Sequence, residues 1–444
     1  MLRAFRYRNY RLFFGGQIVS LAGTWITTTA TSWLVYRLTG SAFLLGVVGF
    51  ASQFPSFLLT PFAGIFVDRW NRHRLLVGTQ TASMIISFVL AALTLSSTIS
   101  IHWLIVVSVF QGIVNAFDMP GRQAFVVTLI EDKRDLGNAI ALNSSMFNAA
   151  RLVGPSVAGV IIALSNEGWC YFIDGVSYLA VIAALLAMRI ARVDGPPAHH
   201  ESPVRQFREG WNYAYSSRPI RSVILLIALV CLVGVPYTVL MPVFAAEILG
   251  GGAHTLGFLM TATGAGALLG ALWLASRRTI AGLGRNIAAA GAVFSIGLMA
   301  FAFSHVLWLS AALLVVTGFG FIVMVASSNT LLQTIVEDAK RGRVISFFLM
   351  AYFGTTPFGS LVAGAISARI GAPYTLAIGG GLCLAGVAWF ASRLALLHQD
   401  IHPIFVRLGV KPAGTGPSVA SGLSTRRPQG GSEDPPPRLQ AASS

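Results

Sequence analysis

The sequence predicts an all-α integral membrane protein, with twelve transmembrane helices in two six-helix halves. Three observations carry this. Hydrophobic residues make up 55% of the 444 and charged residues only 11%, where a soluble domain carries about 25% charge. Charge-free stretches long enough to cross a bilayer recur along the whole chain. One block of sequence also occurs twice, once in each half. A chain this apolar has too little polar surface to cover itself in water.

A spanning helix needs about 20 mostly apolar residues. Residues 12–36 and 38–67 carry no charge and predict the first two helices. Residues 75–117 are also uncharged, but at about 1.5 Å per residue they measure roughly twice a bilayer thickness and must fold back. Ser96-Ser97-Thr98 is the obvious turn. Helices follow near 138–164, 169–189, 222–247 and 254–275. Residues 286–336 split near Ser304-His305, and 344–392 split near Arg369-Ile370-Gly371.

The charges set the orientation. With both termini in the cytoplasm, 28 of the 31 Lys and Arg fall in cytoplasmic segments, where such residues collect. Arg37 and Arg369 fall outside, and Arg151 lies within the membrane. This placement accounts for the net charge of +15 without nucleic acid. The basic N-terminus leads into an uncharged span with no small-residue cleavage site, so a retained first helix is expected. Cys170, Cys231 and Cys383 are far apart in apolar stretches, which leaves neither a disulfide framework nor a thiolate metal site.

The repeat joins helix 4 to 5 and helix 10 to 11. Thr128-Leu-Ile-Glu131-Asp132 precedes a basic loop, a helix and Gly154…Val157-Ala158-Gly159. Thr334-Ile-Val-Glu337-Asp338 precedes the same series, ending at Gly359…Val362-Ala363-Gly364. Two six-helix copies in the same orientation, related by an axis along the membrane normal, is one transporter architecture. The expected units are an N-terminal half (1–190), a cytoplasmic linker (191–218), a C-terminal half (219–397) and a tail (398–444). The tail is rich in Pro, Gly and Ser and is expected to be disordered.

The most specific motif follows helix 2: Gly64-Ile-Phe-Val-Asp68-Arg69-Trp-Asn-Arg72-His-Arg74. It resembles the signature loop of the major facilitator superfamily, G-x-x-x-D-R-x-x-R-x-R. Gly64 permits close helix approach, and Asp68 can pair with arginines or cap a helix N-terminus. The equivalent second-half loop, 276–285, keeps basic charge but no acid. Further segments narrow the resemblance: Arg8-Asn-Tyr-Arg11, Gly23-Thr-Trp25, Trp33-Leu-Val-Tyr-Arg-Leu-Thr39-Gly40-Ser41 and Asp118-Met-Pro-Gly-Arg122-Gln123. Over residues 5–395 the chain is similar to a bacterial branch of enterobactin exporters and macrolide-efflux permeases, the transmembrane secretion effectors. The resemblance implies the major facilitator fold and export of a bulky amphipathic small molecule, driven by the proton gradient. It also implies a multi-pass protein of the bacterial cytoplasmic (inner) membrane. An importer or lipid mover of the same fold, or a non-transporting sensor, is the alternative.

Gly154-Pro155-Ser-Val-Ala-Gly159 in helix 5 resembles the G-P-x-x-G-G antiporter motif, with Ala158 at the first of the paired glycines. Ser108-Val-Phe-Gln111-Gly112 resembles R-x-x-Q-G, but serine stands in the place of the arginine often assigned to proton coupling. That departure puts the usual coupling route in doubt. Intramembrane charges are functional candidates by default. Arg151 is the first, expected to bind an anion or a carboxylate, with Gln111 and Asn115 able to hold its guanidinium. Asp118 and Arg122, one turn apart, suit a conformational latch with Arg69 and Arg72. Asp174 and Glu247, near the outer ends of helices 6 and 7, could carry a proton. Gln17, Thr24, Trp25, Trp33, Asn115, Asn148, Tyr237 and Gln333 are candidates to line a cavity. His102, His254 and His305 fall at outer turns.

No G-x-x-x-x-G-K-[ST] occurs and only three lysines exist, so ATP-driven transport within this chain is excluded. No strand precedes Gly264-x-Gly266-x-x-x-Gly270 or Gly318-x-Gly320, so these are helix-packing surfaces. No metal cluster or nucleophile–base set argues for an enzyme, and no cofactor is expected. The expected partners are a small-molecule substrate and the bilayer, for a monomeric transporter.

Overall fold

The structure, a computed structural model, describes residues 3–188, 203–277, 282–396 and residue 399. The rest of the expected tail and residues 191–202 of the expected linker lie outside them. All regular elements among the described residues are helical. The N-terminal six are α1 (Arg8–Thr39), α2 (Ala42–Arg69), α3 (Arg72–Leu95), α4 (Ile101–Thr128), α5 (Lys133–Leu164) and α6 (Glu167–Leu186). A short amphipathic helix, α7 (Pro203–Ser216), follows. The next span is built from α8 (Arg218–Leu229), a π-helical turn (Val230–Gly234), α9 (Tyr237–Val243) and a second π turn (Phe244–Ile248). Five more helices follow among the described residues: α10 (Ala253–Ser276), α11 (Leu283–Ala302), α12 (Leu307–Ile335), α13 (Asp338–Ile370) and α14 (Ala372–Ser392).

Eleven of the spans are long and apolar enough to cross a bilayer. The twelfth, α1, is 32 residues long; its Gly, Ser and Thr dilute its hydropathy without breaking the helix. The turns fall where the sequence places them. Ser97, at φ 58°, reverses the chain between α3 and α4, with the Ser96 hydroxyl donating to the Ala92 carbonyl. Gly371, at φ 86°, makes the corner between α13 and α14 in a conformation that costs an L side chain energy.

Packing repeats between the halves, as a duplication requires. In the first half α1 packs on α5 and α6, α2 on α4, and α3 on α4 and α6. In the second, the α8 span packs on α13 and α14, α10 on α12, and α11 on α12 and α14. The halves meet along two related seams, α2 against α13 and α5 against α10.

The expected linker contains more order than its scattered charges suggest. Its second part is α7, held to the N-terminal end of α13. Arg343 pairs with Glu209 at 2.7 Å, the Lys340 ammonium sits 4.4 Å from the Tyr213 ring centroid, and Trp211 meets Phe347 edge-on.

Candidate functional site

The two seams are made of small residues, which let helix backbones approach within a membrane. A Cβ on Gly46 would lie 2.5 Å from the Ser360 carbonyl, and one on Gly364 would lie 2.8 Å from that of Ala42. On the other seam a Cβ on Gly257 would lie 2.4 Å from the Pro155 carbonyl, and one on Gly159 would lie 3.0 Å from that of Ala253. The Ser156 and Thr261 hydroxyls are 2.6 Å apart across this seam. These close approaches all lie in the helix halves nearest the α1–α2 and α13–α14 turns. A cross-half hydrogen bond from the Tyr36 hydroxyl to Glu247 lies on the same side. That end of the molecule is therefore closed between the halves.

The Gly154-Pro155…Gly159 segment of α5 forms that closure. Gly154 backs onto α1, where its Cβ would lie 2.4 Å from Trp25 Cβ, and Gly159 backs onto α10. Pro155 has no N–H to offer the carbonyl four residues earlier, and that carbonyl belongs to Arg151. Gly264 of α10 packs against it, with a Cβ position 3.1 Å from the Arg151 oxygen.

Arg151 itself is half-buried, and its guanidinium lies over Trp25 of α1, 5.7 Å from the ring centroid. Tyr237 of α9 and Tyr352 of α13 are within its electrostatic reach. Thus α1, α5, α9 and α13, from both halves, converge on one cation. Among the described residues no carboxylate pairs with it. The expected hold by Gln111 and Asn115 is not what the structure shows. The Gln111 amide donates to Ser83 Oγ at 3.2 Å and to Asn115 Oδ1 at 3.0 Å. The physical reason is packing: α4 lies on α2 and α3, whereas α5 lies on α1 and α10.

Inside the N-terminal bundle, Asp118 is buried and fully partnered. It accepts from Thr79 Oγ1 at 2.9 Å and Gln80 Nε2 at 2.7 Å, and pairs with Arg122. The side chains of Gly64, Asp68 and Arg69 lie outside the described residues. Arg72 opens α3, while the Arg74 backbone N–H is capped by Asn71 at 3.1 Å. Asp174 is 1% exposed, two turns into α6. Its Oδ2 accepts from Thr27 Oγ1 at 2.9 Å and from Ser87 Oγ at 2.7 Å. Glu247 is exposed. Gln17 is buried, and its Oε1 has no hydrogen-bond partner among the described residues. Asn148 donates to the Ser144 carbonyl of its own helix. His102, His254 and His305 are exposed, beside the turns before α4, α10 and α12.

Three features lay beyond the sequence reading. Glu167, 1% exposed, is held bidentately by Arg37 at 2.8 and 2.8 Å; 130 residues separate the two. The hydroxyl partners of Asp174 come from three helices. A π turn at Val230–Gly234 precedes Pro236, and the Val235 N–H reaches back five residues to Val230 at 3.0 Å. The Leu232 carbonyl, which Pro236 cannot satisfy, lies 2.1 Å from where a Gly359 Cβ would stand. A proline in an otherwise apolar helix was the one visible signal.

A duplicated six-helix bundle whose halves close along small-residue seams over a shared central cation is the architecture of a transporter of the major facilitator fold, not of an enzyme. The family model described as transmembrane secretion effector matches residues 2–405, and the chain belongs to that family. It is 26% identical over 394 residues to a staphyloferrin A transporter of Staphylococcus aureus, covering 88% of this chain and 98% of that protein. It is 26% identical over 397 residues to the multidrug efflux pump Tap of Mycolicibacterium fortuitum, covering 86% and 95%. Among solved structures, an inward-facing bacterial homologue of the human lysosomal transporter Spinster superposes with a TM-score of 0.64. Its identity is 15%, over 90% of this chain and 98% of that one.

Proposed function

We propose that this protein is a secondary exporter of a small amphipathic molecule, a siderophore or a drug-like compound. It works by alternating access in exchange for protons, in the bacterial inner membrane with both termini cytoplasmic. The observation that carries the reading is Arg151, a cation without a carboxylate partner among the described residues, where both halves converge beside Trp25, Tyr237 and Tyr352. A guanidinium offers a fork for carboxylate or carbonyl groups, and the aromatic faces suit the apolar part of the same molecule. The siderophore and multidrug relatives support that cargo class. The sealed outer seams correspond to the state that loads from the cytoplasm. Asp68, Arg69, Arg72 and Arg74 with Asp118 and Arg122 would latch the opposite state.

Everted membrane vesicles test this with erythromycin and a carboxylate siderophore as probes. At least one is expected to accumulate, and an uncoupler is expected to abolish the accumulation. Arg151→Ala should lose it with insertion retained, and Arg151→Lys should recover only part, since a point charge cannot reproduce the fork. Normal accumulation in Arg151→Ala overturns the assignment.

A further inference from the structure

We propose that Asp174 is the group that takes up and releases a proton within the membrane. The proton reaches it through a short file of hydroxyl and amide side chains inside the N-terminal bundle, separate from Arg151. This rests on the proton exchange in the proposed function.

Asp174 is set apart from the other described acids, which are either exposed, as Glu131 and Glu247 are, or paired with a cation. Asp118 is paired with Arg122, Asp135 with Arg6, Glu167 with Arg37, Glu209 with Arg343 and Glu337 with Lys340. A cation partner favours the charged carboxylate and resists protonation. Asp174 has hydroxyls instead: Thr27 from α1, Ser87 from α3, and Ser177 of its own helix, whose Oγ is 3.5 Å from Oδ1. A hydroxyl both donates and accepts. It can donate to the carboxylate and, after rotating, accept from the carboxylic acid. Both protonation states are therefore hydrogen-bonded with no side chain displaced. Room for the group comes from Gly23, where a Cβ would lie 2.5 Å from both Asp174 Oδ1 and Ser177 Oγ.

Further polar side chains lie inward of Asp174 in the same bundle. One turn inward, the Tyr178 hydroxyl sits beside Thr24 and Ser83. Ser83 accepts from Gln111, and Gln111 donates to Asn115. Thr24 and Asn115 are exposed, whereas Ser83, Ser87, Ser177 and Tyr178 are buried. The neighbouring α1 and α3 present no charged side chain to Asp174, α6 adds the Tyr178 phenol, and Asp118 on α4 lies further inward against Arg122. Uptake forms one O–H bond on Asp174 with a proton drawn from water through the file, and release breaks it.

Infrared pH-difference spectra of the full-length protein in liposomes test this without any cargo. Wild-type is expected to show a carboxylic-acid carbonyl band that grows as pH falls. Asp174→Asn should lose that band, Asp174→Glu should keep one, and Asp118→Asn should leave it unchanged. Ser87→Ala and Thr27→Val should move it to higher frequency, because a carbonyl relieved of a hydrogen bond stiffens. These two variants retain the acid and decide the matter should Asp174→Asn fail to insert. A band that persists in Asp174→Asn, or that ignores both hydroxyl deletions, overturns the proposal. Loss of the band in a protein whose fluxes ignore the pH gradient would support Asp174 as a titrating site and refute the exchange reading instead.

Discussion

A side chain placed at Gly257 probes whether the α5–α10 seam belongs to one state of the protein. Its Cβ would stand 2.4 Å from the Pro155 carbonyl and 3.1 Å from Gly159 Cα. Both neighbours are helix backbone and cannot rotate aside. Ordinary contact begins at 3.4 Å, so α10 must retreat by about 1 Å, and overpacking of this kind costs about 1–3 kcal/mol. In the proposed alternating-access cycle, opening the outer side parts the two helices, so the cost falls on the outer-closed state alone. Raising one of two states by that amount moves the equilibrium about 5- to 150-fold toward the other. Ser360, fully buried on the opposite seam, serves as reporter. A Ser360→Cys thiol is shielded from a membrane-impermeant maleimide added outside until that side opens. Background is low because Cys170, Cys231 and Cys383 are all buried. Gly257→Val is expected to raise the labelling rate at least about fivefold. An unchanged rate in a correctly inserted variant would refute the view that the seam closes and opens.

Other perturbations read other parts of the fold. Ser156→Cys combined with Thr261→Cys replaces hydroxyls 2.6 Å apart; oxidation should crosslink the halves and stop flux, and a reductant should restore it. Free thiols after oxidation would count against the seam geometry. Arg37→Ala strands a buried Glu167 carboxylate. It should cost about 1–2 kcal/mol in thermal unfolding, the half-exposed arginine reducing the figure for a charge-assisted pair. An unshifted melting temperature would show that the pair contributes nothing. Reporter fusions after Arg205 and at the C-terminus should both read cytoplasmic, and an external signal from either would contradict the orientation.

Much of this architecture is written one residue type at a time, and that part is legible in sequence. Serines and glycines mark turns, and the repeat around Glu131-Asp132 and Glu337-Asp338 announces the duplication. Asp118 and Arg122 are visible as a pair because one helical turn joins them. What sequence hides is contact between distant segments. Arg37 and Glu167 look like isolated surface charges until α1 and α6 pack together. Thr27 and Ser87 read as neutral filler, yet they decide the chemistry of Asp174. Helix α7 escaped because its aromatic face, Trp211 and Tyr215 among it, is interleaved with charges that resemble a linker. Arg151 was legible as a membrane charge, but its neighbours were not. Depth along a helix says nothing about which helix lies alongside, and α4 at the right depth proved to face α3.

The π turn at Val230–Gly234 has a consequence for how this span can vary. Such a turn holds one residue more than an α turn, so the helix carries slack. Removing one residue from 230–234 would restore plain α geometry there and rotate everything beyond it by about 100°. Tyr237 would then swing away from Arg151. The surplus residue thus sets the rotational phase of the outer part of the span. In a lineage of such chains, a gain or loss of one position here would exchange the set of side chains offered to the centre without lengthening any loop. Reaching the same change by point substitution would require replacing an entire helical face.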